Sequence, residues 1–332
     1  MVRSLSIKGA LASSLSLASC AYGTYTPSIY PRNANATNNN NNNNNNTAPR
    51  PVLDDNTYNY TTFQGGVFRI SSTQAAQGLC DDHGFDENPP DPLPARATAL
   101  DKKWQPAMDF DTDSCYNVPA IGPRGHIDQG RSRHEHDIDG CRDEYDLDHS
   151  NVYSRQRCNN GWCAYLYDYF FEKDIGDRIC IGHQYDWEHV VVWTKDGKPR
   201  FGAVSQHGGW DARLWQDIPL DGTSHVKVVY NKDGLIGTHY MRWSKGATDE
   251  PPENHKGVWW RSDLVSWNGF PDEELRDNLT SYDFGEATMA IRDDQFAWNL
   301  ERSVSGIKGK LPDFVFDFDK DEGSPGVPPK SS

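Results

Sequence analysis

The chain has 332 residues, room for one large domain or two ordinary ones, and its 33 Lys and Arg face 48 Asp and Glu for a net charge of -15. Its mean hydropathy is -0.80, and no apolar run approaches the roughly 18 to 20 residues that a membrane-spanning helix needs. An acidic chain without a basic cluster repels phosphates and releases no counterions, which argues against a nucleic-acid partner.

The first residues, "MVRSLSIKGALASSLSLASCAYG", place Arg3 and Lys8 before a modestly apolar stretch and small residues at Ala18 to Ala21. That is the layout of a secretory signal peptide, expected over residues 1–20, and it implies a secreted, extracellular protein. Beyond Cys20, six cysteines remain: Cys80, Cys115, Cys141, Cys158, Cys163 and Cys180. An even count in an exported chain favours disulfides, with several pairings open. Asn-x-Thr sequons stand at Asn35, Asn45, Asn59 and Asn278; in a eukaryotic secretory pathway they are glycan acceptors.

Residues 21–99 read as an extension. The unbroken asparagine tract Asn38 to Asn46 cannot bury enough surface to offset its ordering entropy. The part that follows, with "DDHGFDENPPDPLPA", reads as an irregular, proline-broken arm. From about 100 to 308 the texture changes to short β-branched and aromatic segments: "WCAYLYDYFF", "WEHVVVWT", "RFGAVSQH", "SHVKVVYN", "IGTHYMRWS" and "GVWWRSDLVSW". Gly, Asp and Asn separate them, as strands separated by turns require. Helical periodicity is scarce, and "FPDEELRDNLTS" with acids in its first turn is the best helix. Many short strands with few helices define a mainly β class, a β-sandwich flanked by a few helices. Residues 309–332 read as a loose tail.

Within this frame "GHQYDWEHVVVW" concentrates acid groups at the lip of an apolar run. As a strand it places Asp186, Glu188, Val190 and Val192 on one face and Tyr185, Trp187, His189 and Val191 on the other. Residues i and i+2 stand roughly 6.5 to 7 Å apart, so both carboxylates can converge on one hard cation of the Ca²⁺ or Mg²⁺ type. His183 can hold a coordinated water, and Asp174 upstream adds an oxygen donor. A solvated face at a sheet edge explains the same pattern. A retaining glycosidase pair fits poorly, because its carboxyls flank the scissile bond about 5 to 5.5 Å apart. The stretch "HEHDIDGC" offers His134 and His136, but it lacks the helical His-Glu-x-x-His zinc pattern and reads as a polar loop. No Gly-x-Ser-x-Gly elbow supports serine hydrolysis.

In this order the segments resemble the necrosis- and ethylene-inducing peptide-like proteins. The family heptapeptide Gly-His-Arg-His-Asp-Trp-Glu stands here as "GHQYDWE", Gly182 to Glu188, with Gln184 and Tyr185 in place of its Arg and His. "WCAYLYDYFFEKD", "AVSQHGGW", "SHVKVVY", "GTHYMRW" and "LTSYDFGEATMAIRDDQFAWNL" follow the family sequence of motifs over about residues 100 to 305. The resemblance implies an actinoporin- or lectin-like sandwich and a non-enzymatic toxin, expected as a monomer. It implies binding to glycosylated sphingolipids of plant plasma membranes, exposure to plant immune receptors, and a required Ca²⁺ or Mg²⁺. By carry-over the ion is held by Asp174, His183, Asp186 and Glu188. The resemblance also implies a Cys115–Cys141 disulfide and a membrane or glycan contact at Trp267. Cys158 can pair with Cys163 or with Cys180. The segment from Asp174 to His183 looks one residue longer than the family's. Loss of lysis on a retained fold, leaving a glycan-binding or immune-exposed module, is the alternative reading.

Overall fold

A computed structural model describes residues 59–63, 66–70, 88–132, 138–177, 181–234, 238–324 and 326. The expected leader, the asparagine tract, Cys80, Cys180 and the stretch from His134 to Asp137 lie outside the described residues. Two sheets form the body. The larger runs β12 (Asp263–Ser266), β4 (Asn151–Asn159), β5 (Trp162–Asp177), β6 (Ile181–Lys195), β7 (Lys198–Gln206) and β8 (Gly209–Leu214) in spatial order. The smaller runs β11 (His239–Trp243), β10 (His225–Lys232) and β3 (Ala107–Phe110), with β9 (Leu220–Asp221) also on β10. The sandwich expected from the sequence is present. A separate hairpin, β1 (Asn59–Phe63) with β2 (Gly66–Ile70), stands in the segment read as an irregular arm.

Strand β6 is buried on both faces, which is why its apolar run is continuous. Val190 and Val192 join Tyr165, Tyr167, Val228 and Met241 between the sheets. After two short helices, α1 (Ala99–Trp104) and α2 (Glu144–Asp148), come the two that cover the opposite face, where Val191 and Trp193 pack with Leu275 and Leu279 of α3 (Glu273–Ser281) and with Phe296 and Leu300 of α4 (Phe296–Ser303). Helix α3 is the helix expected from "FPDEELRDNLTS". Asp272 caps it by accepting the Leu275 N–H at 2.8 Å, and Glu273 and Glu274 in the first turn face the positive end of its dipole.

Both ends of the domain differ from the sequence reading. Residues before 100 already belong to the core: Leu93 is fully buried, and the Asn151 side chain accepts its N–H at 2.7 Å and donates to its carbonyl at 3.0 Å. An extended Pro-rich segment satisfied by a side chain needs no ladder to pack. The tail after 309 is not loose up to about Ser324. Phe314, Phe316 and Phe318 pack on the helix-side core while Val315, Asp317 and Asp319 face solvent. Asn159 donates to the carbonyls of Asp317 and Lys320 at 2.7 and 2.6 Å, and Arg200 holds Asp313 at 2.8 Å.

Cys115 and Cys141 form the disulfide implied by the resemblance. Cys158 pairs with Cys163, its direct cross-strand neighbour on β4 and β5.

Candidate functional site

The acids are placed by the β5–β6 hairpin. Its register sets Tyr169 opposite Glu188, Phe171 opposite Asp186 and Asp174 opposite His183. An irregularity between Ile175 and Asp177 takes up the slack at the hairpin end, so the longer segment leaves Asp174 in register. The side chain of Asp177 lies outside the described residues. Asp186 and Glu188 share the face of Val190 and Val192, pointing toward the smaller sheet. Because β5 and β6 are the central pair of their sheet, Asp174, Asp186 and Glu188 are only 2, 6 and 8 % exposed. The solvated-edge explanation therefore fails.

What covers the acids is β11, the edge strand of the smaller sheet. The His239 backbone N–H donates to Asp174 Oδ1 at 2.9 Å, and His239 Nδ1 lies 2.8 Å from the same oxygen. Glu188 accepts the Met241 backbone N–H and the Ser205 hydroxyl. The Tyr230 hydroxyl donates to Asp186 Oδ2 at 2.7 Å, its ring stacked between Phe171 and His239 at 3.7 and 4.8 Å. An edge strand carries outward N–H groups that need acceptors, and here the carboxylates of the facing sheet supply them. His183 Nδ1 lies 2.6 Å from the Tyr185 carbonyl, and its Nε2 stands 3.8 Å from Asp174 Oδ2.

Electrostatically the pocket is short of positive charge. The ion-pair partners of these acids among the described residues are two histidines, His183 and His239. Burial and then the neighbouring Asp174 push Asp186 up to about 6. Burial and then Asp186 push Glu188 well above the carboxylate range. For His183, burial acts downward, but Asp186 and Asp174 outweigh it and hold the imidazole above its ordinary value. With a proton on Nδ1 shared with Asp174, His239 keeps a buried Nε2 that has no partner. Among the described residues no group of three or more His, Cys, Asp or Glu is arranged to hold a metal ion as it stands. Each carboxylate is turned to a protein donor, with which a cation must compete. The donor chemistry nevertheless fits a hard divalent ion: three buried carboxylates, an imidazole and too little counter-charge.

Both departures in the heptapeptide have a structural role. Tyr185 adopts a left-handed backbone, φ 62°, costly for a bulky residue and found where the surroundings over-determine it. Its ring packs edge-on to Phe284 at 5.3 Å and on Phe170 at 6.1 Å. Gly130 lies beneath it: a Cβ there would stand 2.6 Å from the ring and 2.8 Å from the Glu172 carbonyl. The Gln184 amide donates to the Gln129 carbonyl. Neutral Gln and Tyr thus fasten the 128–131 loop beside the pocket.

The acids open on a pocket of about 460 Å³ whose wall includes His207, Trp210, Trp298 and Arg302. Trp267 is not in that wall. It is half-buried on the helix-side core, with the Arg155 and Arg276 guanidinium groups 3.8 and 4.7 Å from its ring. Packing between strand and helix accounts for it, and the exposed indole at the pocket is Trp298, 51 % exposed. Sequence reasoning missed His239, Tyr230, Ser205 and Trp298. The first three lie inside segments recognised as strands, but no spacing relates them to acids 17 to 65 residues away.

Fold and site together define a β-sandwich with a buried acid cluster at the junction of its sheets. A family model described as Necrosis inducing protein (NPP1) matches residues 98–303, and the chain belongs to that family. It is 30 % identical over 201 residues to the necrosis-inducing protein NPP1 of Phytophthora nicotianae, covering 58 % of this chain and 77 % of the relative. NLPPya, solved in complex with mannosamine and with glucosamine, superposes with a TM-score of 0.54 at 27 % identity, covering 65 % of this chain and 95 % of that one. The non-toxic HaNLP3 superposes with a TM-score of 0.51 at 26 % identity over 65 % and 96 % of the two chains.

Proposed function

We propose that the protein is a secreted, non-enzymatic necrosis-inducing factor whose acidic pocket, with a bound divalent cation, takes the sugar head group of a plant plasma-membrane glycosphingolipid. The observation that carries this reading is the set of three buried carboxylates with no Lys or Arg ion-pair partner among the described residues, beneath an open pocket. Asp174, His183, Asp186 and Glu188 are the residues that would hold Ca²⁺ or Mg²⁺. The ion, when bound, supplies positive charge that neutralises the acids and attracts sugar hydroxyls. The chain's own contribution is orientation. Tyr230 fixes Asp186, His239 fixes Asp174, Ser205 and Met241 fix Glu188, and the kink at Tyr185 sets the direction in which His183 projects.

Dye release from vesicles carrying plant glycosphingolipids tests the reading. Release should require Ca²⁺ or Mg²⁺ and the sugar head group, and should be lost in Asp186→Ala. Equal release from vesicles without the glycolipid would overturn it. Turnover of oligosaccharides, lost in Glu188→Gln, would replace it with a hydrolase.

A second reading is supported by one observation: the heptapeptide carries Gln184 and Tyr185, and a non-toxic relative keeps this fold. On that reading the protein binds glycan without lysing the membrane. Head-group binding without dye release, unchanged in its cation requirement, separates it from the first.

A further inference from the structure

The acidic pocket does not end at its own rim. Trp298, on the outer side of α4, lines both that pocket and a neighbouring groove of about 660 Å³. The groove's near wall belongs to α4 and the turn before it, with Asp293, Asp294 and Glu301. Its far wall is the C-terminal tail, where Asp317 and Asp319 alternate with Phe316 and Phe318. The tail wall lies beyond the family match at 98–303, whereas the α4 wall lies within it. Arg155 pairs with Asp293 at 2.7 Å and Arg292 with Asp294 at 3.1 Å. Among the described residues Glu301, Asp317 and Asp319 are in no ion pair and remain exposed, with the Arg157 guanidinium, which donates to the Phe318 carbonyl, as the cation that feels Asp317 and Asp319. At the closed end of the same cleft, His239 keeps its buried, partnerless Nε2.

The exposed indole decides what kind of ligand fits. The Arg302 guanidinium sits 4.3 Å from the Trp298 ring, one turn along the helix, and is tied to the Gly208 carbonyl, so the ring is held in place while half its surface stays in water. A fixed aromatic face at a junction of two acidic cavities suits a ligand with flat C–H faces and positive charges at regular intervals. The C–H face stacks on the indole, and ammonium groups meet carboxylates and the negative faces of the rings. A basic peptide would meet the charges and set a Lys or Arg over the indole, as Arg302 does; what it lacks is the flat C–H face that a sugar ring brings to the platform.

We infer that Trp298 and the groove between α4 and the tail form a second subsite, which extends the acidic pocket into a cleft for a cationic oligosaccharide built of free-amine sugars. This rests on the reading of the pocket as a sugar site, and it adds a ligand longer than one head-group residue. Two or more sugar units held at once act as a linked pair, so affinity rises steeply with chain length.

Calorimetric titration of the full chain in Ca²⁺ tests this with glucosamine, its β-1,4-linked tetramer, the N-acetylated tetramer and pentalysine as probes. The tetramer should bind at least about a hundred-fold more tightly than the monomer, at the low end of a linked-pair gain. That ratio should collapse toward one in Trp298→Ala and in the double variant Glu301→Gln/Asp319→Asn, all at exposed positions. The N-acetylated tetramer should show no such gain, since it lacks the ammonium groups. A tetramer no better than the monomer, or a ratio that survives both variants, overturns the second subsite and leaves the pocket reading intact. Pentalysine binding as tightly as the tetramer would also overturn it, in favour of a peptide surface. Absence of binding by monomer and tetramer alike would sink the pocket reading itself.

Discussion

Asp186→Asn separates the cation reading from a merely structural role for the acids. Asp186 sits at about 6, raised first by burial and then by Asp174, against an ordinary value of 3.8. The difference corresponds to about 3 kcal/mol of unfavourable ionisation. In the window between those values the folded form keeps a proton that the unfolded chain has released. Stability of the metal-free protein from this group is therefore full below about pH 4 and falls as pH rises through 6. His183, also raised, adds in the same direction, since its favourable charge is lost on passing its folded value. A cation reverses the situation by binding the ionised pocket. At about 100 times its Kd it adds about 2.7 kcal/mol, or roughly 5 to 10 °C in Tm for a domain of about 200 residues. Thermal unfolding from about pH 4 to 8, in chelator and in millimolar Ca²⁺ or Mg²⁺, reads both effects. Asp186→Asn should be more stable than the natural chain in chelator at pH 7.5, because the amide oxygen still accepts from Tyr230 without the charge. It should also lose the response to metal. Natural protein whose Tm ignores both ions at pH 7.5, together with a destabilised Asp186→Asn, would refute the reasoning.

Replacing Cys115 by Ser opens a loop with a sequence separation of 26, and chain entropy puts the cost at about 3.5 kcal/mol; denaturant titration measures it. Gly130→Ala combines a left-handed φ of 63° with contacts to the Tyr185 ring and the Glu172 carbonyl. It should cost on the order of 2 to 4 kcal/mol and should weaken the Ca²⁺-induced rise in Tm. Trp267→Ala removes a half-buried indole between two guanidinium groups. A loss of about 2 to 3 kcal/mol is expected, with vesicle binding retained by the folded fraction; a stable variant that no longer binds vesicles would return Trp267 to the contact surface.

The placement of Asp186 and Glu188 was legible because β6 obeys a period of two from Asp186 to Val192, and alternation alone assigns their face. That they are buried was not legible. Their cover comes from β11, whose His239 lies 65 residues from Asp174, and pairing between sheets leaves no local pattern to read. The tail failed for a related reason. Phe314, Phe316 and Phe318 alternate as a strand would, yet they form no ladder, so composition with Pro and Gly spoke louder than spacing. Leu93 was hidden in the same way by the prolines around it. Trp298 was passed over because eleven tryptophans give no reason to single out one, and exposure is a property of the packed helix. The Cys158–Cys163 pair, by contrast, needed only the β4–β5 register to settle it.

The two departures in the heptapeptide and the groove beside the pocket bear on one another. Where the family motif carries Arg and His, this chain carries Gln184 and Tyr185, whose side chains are given over to the Gln129 carbonyl and to ring packing. The acid set itself, Asp174, Asp186 and Glu188, is intact. Positive charge has thus been withdrawn from beside the pocket while its negative charge is kept, and the tail adds Asp317 and Asp319 on the far side of Trp298. Both changes act in the same sense. They lower the attraction for an anionic head group and raise it for a cation or a free-amine sugar, the effect being strongest at low salt, where exposed acids act over the longest range.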